Sequence, residues 1–500
     1  MLLKFKKIAV CLMMASVLVP FSLSAAEKVL RIGASIFPDT LSTNVSSFAA
    51  LSLNTQTAEP LILRENDASL KPGLAVKWEA LNAVTWRFHL RKGVKFHDGV
   101  AFTANDVKHT LDYILDPKTV YGSKRRITQI SETRVVDDLT VDIITKKPFP
   151  TLLRGLSDIV IEPMHYQKKV GRKGMARHPI GTGPFKFLKW TPGDSYELEA
   201  NKNYWGGTPK VDRVVIRQIP EGVTRVASLL AGETHIIEEV PVDLISKVES
   251  TSGVELAATE STVGLLLTMD ARKKPFNDIR VRKAMNYAID KEMILKQLLY
   301  GNGALLNGQT LTSNTFGHNP NLSAYPYDVK KAKQLLKDAG YQNGFETSIT
   351  TRSGKYLSDV DISNAISGML MQVGIKTGVN VVEGGVYSKM VKAREMGPMH
   401  MVGWYSLGDA DFSTVWFTDG SNRAYWKNDE YEKLFLEGRS TMDVAVREKA
   451  YHRMMEIINE EAPAMFLFGL PSVYAKSSKV KGWGPASDKL LRLSDVELSD

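Results

Sequence analysis

The sequence predicts an α/β fold with partly parallel, mixed sheets, and three observations carry that prediction. In the second half, strand-like and helical runs alternate: "FETSITT", a helix over Asp361 to Val373, "GIKTGVNVV", then "MHMVGW", the order that strand-helix-strand units produce. In the first half, short alternating runs are punctuated by Gly, Pro and Asp-Asp, as in antiparallel hairpins. Third, 500 residues with 43% apolar content are globular and enough for two or three domains.

Taken in order, "KVLRIGA" (28–34) reads as the first strand, followed by a polar loop. "VTWRFHLRKGVKFHDG" puts Trp86, Phe88 and Leu90 on one strand face, with turns at Gly93 and Asp98-Gly99. "FTANDVKHTLDYIL" opens a helix: Thr103 can cap it, Asp106 stands three residues on, and Val107, Leu111, Ile114 and Leu115 form an apolar stripe. "TRVVDDLTVDIIT" is a hairpin turning at Asp137-Asp138, and "GTGPFKFLKWTPGDSYELEANKNYWGG" is strand-rich. A second unit starts near Gly264 with the buried-type strand "VGLLLTMD". One helix is expected over "NDIRVRKAMNYAIDKEMILKQLL", capped at Asn277 or Asp278, and another over "YDVKKAKQLLKDAGY", capped by Asp328 and closed by Gly340. A last amphipathic helix, "VREKAYHRMMEIINEEA", precedes "AMFLF", and the tail "GLPSVYAKSSKVKGWG" returns to strand.

The N-terminus has the layout of a secretory signal peptide, residues 1–26. Lys4, Lys6 and Lys7 precede an apolar run from Ile8 to Phe21, and Ser24-Ala25-Ala26 suits cleavage. That run is shorter than the roughly 20 residues a spanning helix needs. The expected location is the bacterial periplasm. The single cysteine, Cys11, falls inside the leader and too early for lipid attachment, so the mature chain carries no thiol, disulfide or cysteine-metal site. Cleavage removes three of the lysines behind the formal charge of +9. No block of like charges appears; "SKRR" and "KSSKVK" lack interleaved aromatics and read as solvated faces, which excludes nucleic acid as a partner.

Catalytic signatures are missing: there is no His-Glu-x-x-His pair and no Gly-x-Ser-x-Gly elbow, and the glycine pairs match no nucleotide-binding spacing. The nine histidines are scattered, with His97, His109 and His400 read as structural. The chain therefore reads as a non-enzyme with no metal and no cofactor. One stretch stands apart. "GWYSLGDADFSTVWFTDGSNRAYW", Gly403–Trp426, gathers three of eight tryptophans with Tyr405, Phe412, Phe417 and Tyr425 around Asp409, Asp411 and Arg423. It repeats neither as a strand nor as a helix. Rings with spaced charges fit a pocket for a zwitterionic or peptide-like solute. The competing reading packs Trp416, Phe417 and Phe412 into a core while Asp409 and Asp411 cap a helix.

"WRFHLRKGVKFHDGVAFTANDVKHTLDYI", "PIGTGPFKFLKWTPGDSYELEANKNYWGGTPKVDRVVIRQIPEGVTRVASLLAGE", "PFNDIRVRKAMNYAIDKEMIL" and "YDVKKAKQLLKDAGYQNGF" occur in this order. Together with the aromatic stretch they resemble the extracellular solute-binding proteins, family 5. These are the dipeptide, oligopeptide, glutathione, opine and nickel-complex receptors of ABC importers. The resemblance covers nearly the whole mature chain. It implies a two-lobed periplasmic binding protein with a hinge and an extra subdomain in lobe one. Lobe one would take residues 27–262, with the subdomain at about 61–175, and 467–500; lobe two would take 263–466, with crossovers near Glu260 and Phe466.

Dipeptide receptors of this family carry an aspartate three residues after the "GW" tryptophan for the peptide amine. Here that place holds Leu407, and the "GDAD" acids Asp409 and Asp411 follow, which looks more like the glutathione or opine relatives. Arg352 in "SITTRSGKY" matches the arginine that takes the ligand carboxylate. The ligand-binding set implied is Arg352, Trp404, Tyr405, Asp409, Asp411, Trp416, Arg423 and Tyr425. The implied partners are a small peptide-like solute, an inner-membrane permease and its ATPase subunits, with the receptor a monomer. Alternatives are a receptor for a nickel-chelator complex, a periplasmic hydrolase using Asp409 and Asp411 as acid and base, and a chaperone-like role.

Overall fold

A computed structural model describes residues 27–44 and 48–499; the signal-peptide reading, Cys11 included, lies outside the described residues. Two long strands dominate the architecture. Val254–Met269 pairs antiparallel with Ala464–Ser477. From Ala464 to Ala475 every residue is buried, the signature of a strand covered on both faces.

This pair joins two half-sheets. On one side lie Met399–Tyr405, Phe345–Arg352 and Ile375–Val382; on the other lie Ile236–Glu238, Val29–Ala34, Arg213–Gln218, Ser195–Ala200 and Phe185–Thr191. Parallel pairing of Phe345–Arg352 with Ile375–Val382, and of Val29–Ala34 with Arg213–Gln218, makes the sheet mixed. The central ladder shifts register between Glu260 and Gly264, where Ser261 Oγ donates to the Leu470 carbonyl at 2.7 Å. Either side of that shift the half-sheets build separate cores, so the molecule has two lobes.

A four-stranded antiparallel sheet, ordered Ala75–Asn82, Thr85–Leu90, Thr140–Thr145, Ile130–Asp137, sits on the first lobe. Trp86, Phe88 and Leu90 pack with Val107, Leu111 and Ile114 of the helix Ala104–Leu115. Thr103 and Asp106 form a capping box there, the Thr103 N–H donating to Asp106 Oδ2 at 2.9 Å.

The structure corrects two expectations. The strand expected to start near Gly264 begins ten residues earlier, at Val254, and "AMFLF" and "GLPSVYA" form one strand. Pro471 lies opposite Glu260 at the register shift, where a missing N–H is tolerated. The single helix expected over 277–299 is two, Ile279–Tyr287 and Lys291–Leu298. Asp278 accepts from the Arg280 N–H at 2.8 Å, and Asp290 caps the second helix through the Met293 N–H at 2.9 Å. No helix among the described residues is long and apolar enough to cross a membrane.

Candidate functional site

The two lobes enclose a cavity of about 1280 Å³, above the usual range for a small-solute site. The first lobe contributes the loop after Val29–Ala34, the turn Lys124–Arg126 and Glu238–Pro241. The second contributes Arg352 and the loop behind it, the end of Met399–Tyr405, and parts of Leu407–Arg423. Ligands of α/β sheets gather at the carboxyl ends of strands, and both second-lobe strands end here.

Six of the eight residues singled out in the sequence line this cavity. Arg352 ends its strand with Nη2 donating to Tyr356 Oη at 3.3 Å and its guanidinium carbon 4.3 Å from the Tyr387 ring centroid. Its Nε is buried with no hydrogen-bond partner, and no carboxylate among the described residues pairs with it. Trp404 reaches the wall only at its margin. It is 2% exposed and packs edge-on against Phe417 at 4.5 Å. Tyr405 is half-buried, and burial raises its phenol pKa. Trp416 and Arg423 are half-buried wall residues in contact, the Arg423 guanidinium carbon 5.0 Å from the ring centroid.

Asp411 is 4% exposed, faces the cavity and meets Arg439 Nε at 3.2 Å. Burial pushes its pKa up to about 6 against the pull of the Arg439 charge.

The other two stand behind the wall. Asp409 accepts from Arg447 Nη2 at 2.9 and 3.0 Å, both side chains buried, and its Oδ1 also takes the Asp411 N–H at 3.1 Å. It is a structural ion pair that organises the turn. The acid-base pair a hydrolase would need is therefore not presented to the cavity. Tyr425 is 2% exposed, against His400 at 5.0 Å and under Arg272 at 4.6 Å. The aromatic stretch divides: Trp404, Phe417, Tyr425 and Trp426 are core, while Phe412 and Trp416 face the cavity.

Sequence reasoning missed Arg125, Lys355, Tyr356, Glu238 and Glu239 in the wall. "SKRR" was expected to be a solvated face, yet Arg125 and Arg126 turn toward the cavity. The missing signal is long-range: nothing local shows that this turn faces another lobe.

Charge is the wall's clearest property. Several cations are already committed. Arg126 pairs with Asp158, Arg439 with Asp411, and Lys489 weakly with Glu239 at 3.9 Å. Arg225 donates to the carbonyls of Ile219, Pro220, Glu238 and Glu239. Among the described residues, Arg125, Arg352, Lys355 and Arg423 have no such carboxylate. Burial, and then the charges of Arg352 and Lys489, hold the Lys355 pKa below its ordinary value. Burial, and next the Arg423 charge, does the same for Arg125. Glu238 moves the other way, up to about 7, through burial and then the Glu239 charge. Cations thus outnumber carboxylates in the wall.

Residues 69–425 match the family described as bacterial extracellular solute-binding proteins, family 5 Middle. The glutathione-binding protein GsiB of Pectobacterium atrosepticum is 31% identical over 438 residues, 84% of each chain. Among solved structures, the periplasmic binding protein DppA from Helicobacter pylori in complex with peptide STSA aligns with a TM-score of 0.80 at 26% identity, covering 94% of this chain and 98% of that one. The substrate-binding protein CtaP of Listeria monocytogenes shares the fold at a TM-score of 0.87, 23% identity and 95% and 100% coverage. With its interlobe cavity and its match to these receptors along most of its length, the chain belongs to the bacterial extracellular solute-binding proteins, family 5.

Proposed function

We propose that this protein is the periplasmic receptor of an ABC importer for a short, anionic, peptide-like solute of the glutathione type. The observation that carries this reading is the cation-rich interlobe cavity, with Arg352 at the carboxyl end of its strand meeting no carboxylate among the described residues. The planar fork of an arginine accepts a carboxylate in two parallel hydrogen bonds. The name of the GsiB relative supports the same solute class.

On this reading the lobes are 27–262 with 467–500, and 263–466, and they close about the crossing of the two long strands near Glu260 and Pro471. The leader directs export. The loaded receptor, a monomer, docks on a permease served by ATPase subunits.

Native mass spectrometry of protein purified from the periplasm, before and after unfolding and refolding, tests the proposal. A discrete extra mass that vanishes on stripping is expected, and Arg352→Gln should weaken rebinding by about tenfold or more. Stripped protein that retains no short peptide, glutathione or opine would remove the basis for the peptide-like ligand.

A further inference from the structure

Trp416 carries two cations that come from opposite lobes. The Arg125 guanidinium carbon lies 5.6 Å from its ring centroid, and that of Arg423 lies 5.0 Å away. Arg125 belongs to the turn Lys124–Arg126, flanked by Tyr121 and Ile127 in the core under the four-stranded sheet. Trp416 packs instead on the second-lobe core that holds Trp404 and Phe417. Neither guanidinium meets a carboxylate among the described residues. The negative face of the indole attracts each cation, but an uncharged ring neutralises neither. Two guanidinium groups, one from each lobe, thus meet a single indole across the cleft. Arg352 is near: it lies over Tyr387, and Arg423 also acts electrostatically on that phenol.

We propose that the Arg125–Trp416–Arg423 stack is a subsite for a second acidic group of the solute, apart from the carboxylate site at Arg352. The receptor then selects ligands with two acidic groups. This rests on the receptor reading above and adds a mechanism to it. One anion shared by Arg125 and Arg423 neutralises two like charges carried by opposite lobes, so its binding favours the closed state. A neutral solute leaves the two like charges uncompensated on closure. Selection therefore arises from repulsion as well as attraction.

Calorimetric titration of the stripped protein tests this with matched tripeptides that carry Glu or Gln at the first or second position, with glutathione and with inorganic phosphate. At one position at least, the Glu peptide should bind about tenfold or more tighter than its Gln partner. Arg125→Gln and Arg423→Gln should each bring that ratio toward one. The double variant should lose little more than the worse single variant, because both hold the same anion. Arg125→Lys should keep part of the preference. The ratio compares two ligands on one preparation, so a misfolded fraction cannot imitate the effect.

A ratio near one in the unaltered protein, or one indifferent to both arginines, overturns the subsite and leaves the receptor reading standing. Phosphate alone binding with the same dependence on both arginines also overturns it, in favour of a free-anion site. If neither glutathione nor any tripeptide is retained, the receptor reading falls first and takes the subsite with it.

Discussion

Asp409 and Asp411, two residues apart, show how far burial can separate like side chains. Asp409 shares a buried ion pair with Arg447. Removing one partner of such a pair strands the other charge, so Asp409→Ala should cost about 3–5 kcal/mol. Urea unfolding reads the loss, while ligand affinity per folded molecule should hardly change because Asp409 is off the cavity wall. A large affinity loss with unaltered stability would contradict this placement. Asp411 is different: burial raises its pKa from 3.8 to about 6. A raised folded pKa means the proton favours the folded state. The stability it supplies is complete below about pH 4 and is lost as pH rises through about 6. Asp411→Asn has no such titration. Between pH 4 and 7 the unaltered protein should therefore lose stability relative to the variant, read as urea midpoints at both pH values; parallel pH profiles would count against the shift. The sequence showed that charge and rings gather here. It could not show which acid turns inward, because both orientations suit a Gly-Asp-Ala-Asp turn.

At the scale of elements, the strand Met399–Tyr405 positions the cavity wall through Gly403. A Cβ there would lie 2.6 Å from the Tyr356 ring, whose hydroxyl donates to the Gly403 carbonyl at 3.3 Å and accepts from Arg352. Gly403→Ala must move that ring. Overpacking of this kind costs about 1–3 kcal/mol, and the displaced Tyr356 should carry Arg352 out of place and weaken ligand binding by about tenfold. Calorimetry beside thermal unfolding separates the two effects, and unchanged affinity would show that Tyr356 does not position Arg352. Helix starts were legible in sequence, since Thr103, Asp278 and Asp328 act through backbone groups two or three residues away. The two long strands were not. Gly469 and Pro471 resemble breakers until the partner strand supplies the register shift that accommodates them.

Across the whole molecule, Arg154 joins the lobes. It projects from the short helix Leu152–Leu156 and donates to the carbonyls of Ala68 and, at 3.2 Å, Leu407. Leu407 has a φ of 52°, the left-handed region that a leucine rarely enters, so its carbonyl is held in a costly conformation. Arg154 does not line the cavity. Arg154→Ala should still lower affinity by about threefold to tenfold through loss of a contact between lobes, and should enlarge the ligand-free radius of gyration in solution scattering. The preference for acidic over neutral peptides should be untouched; a variant with normal affinity and size would show that this tie does not favour closure. The sequence by itself determined the α/β class, most helix starts, the capping chemistry and, through its ordered motifs, the family, because these depend on periodicity and on neighbours within a turn. Only the tertiary structure decided that Arg125 and Arg423 share one tryptophan, that Asp409 is a buried anchor, and that four cations face a cavity with no carboxylate partner among the described residues. Those facts depend on contacts between residues as many as 291 positions apart (Arg125 and Trp416, 416 − 125), which no local pattern encodes.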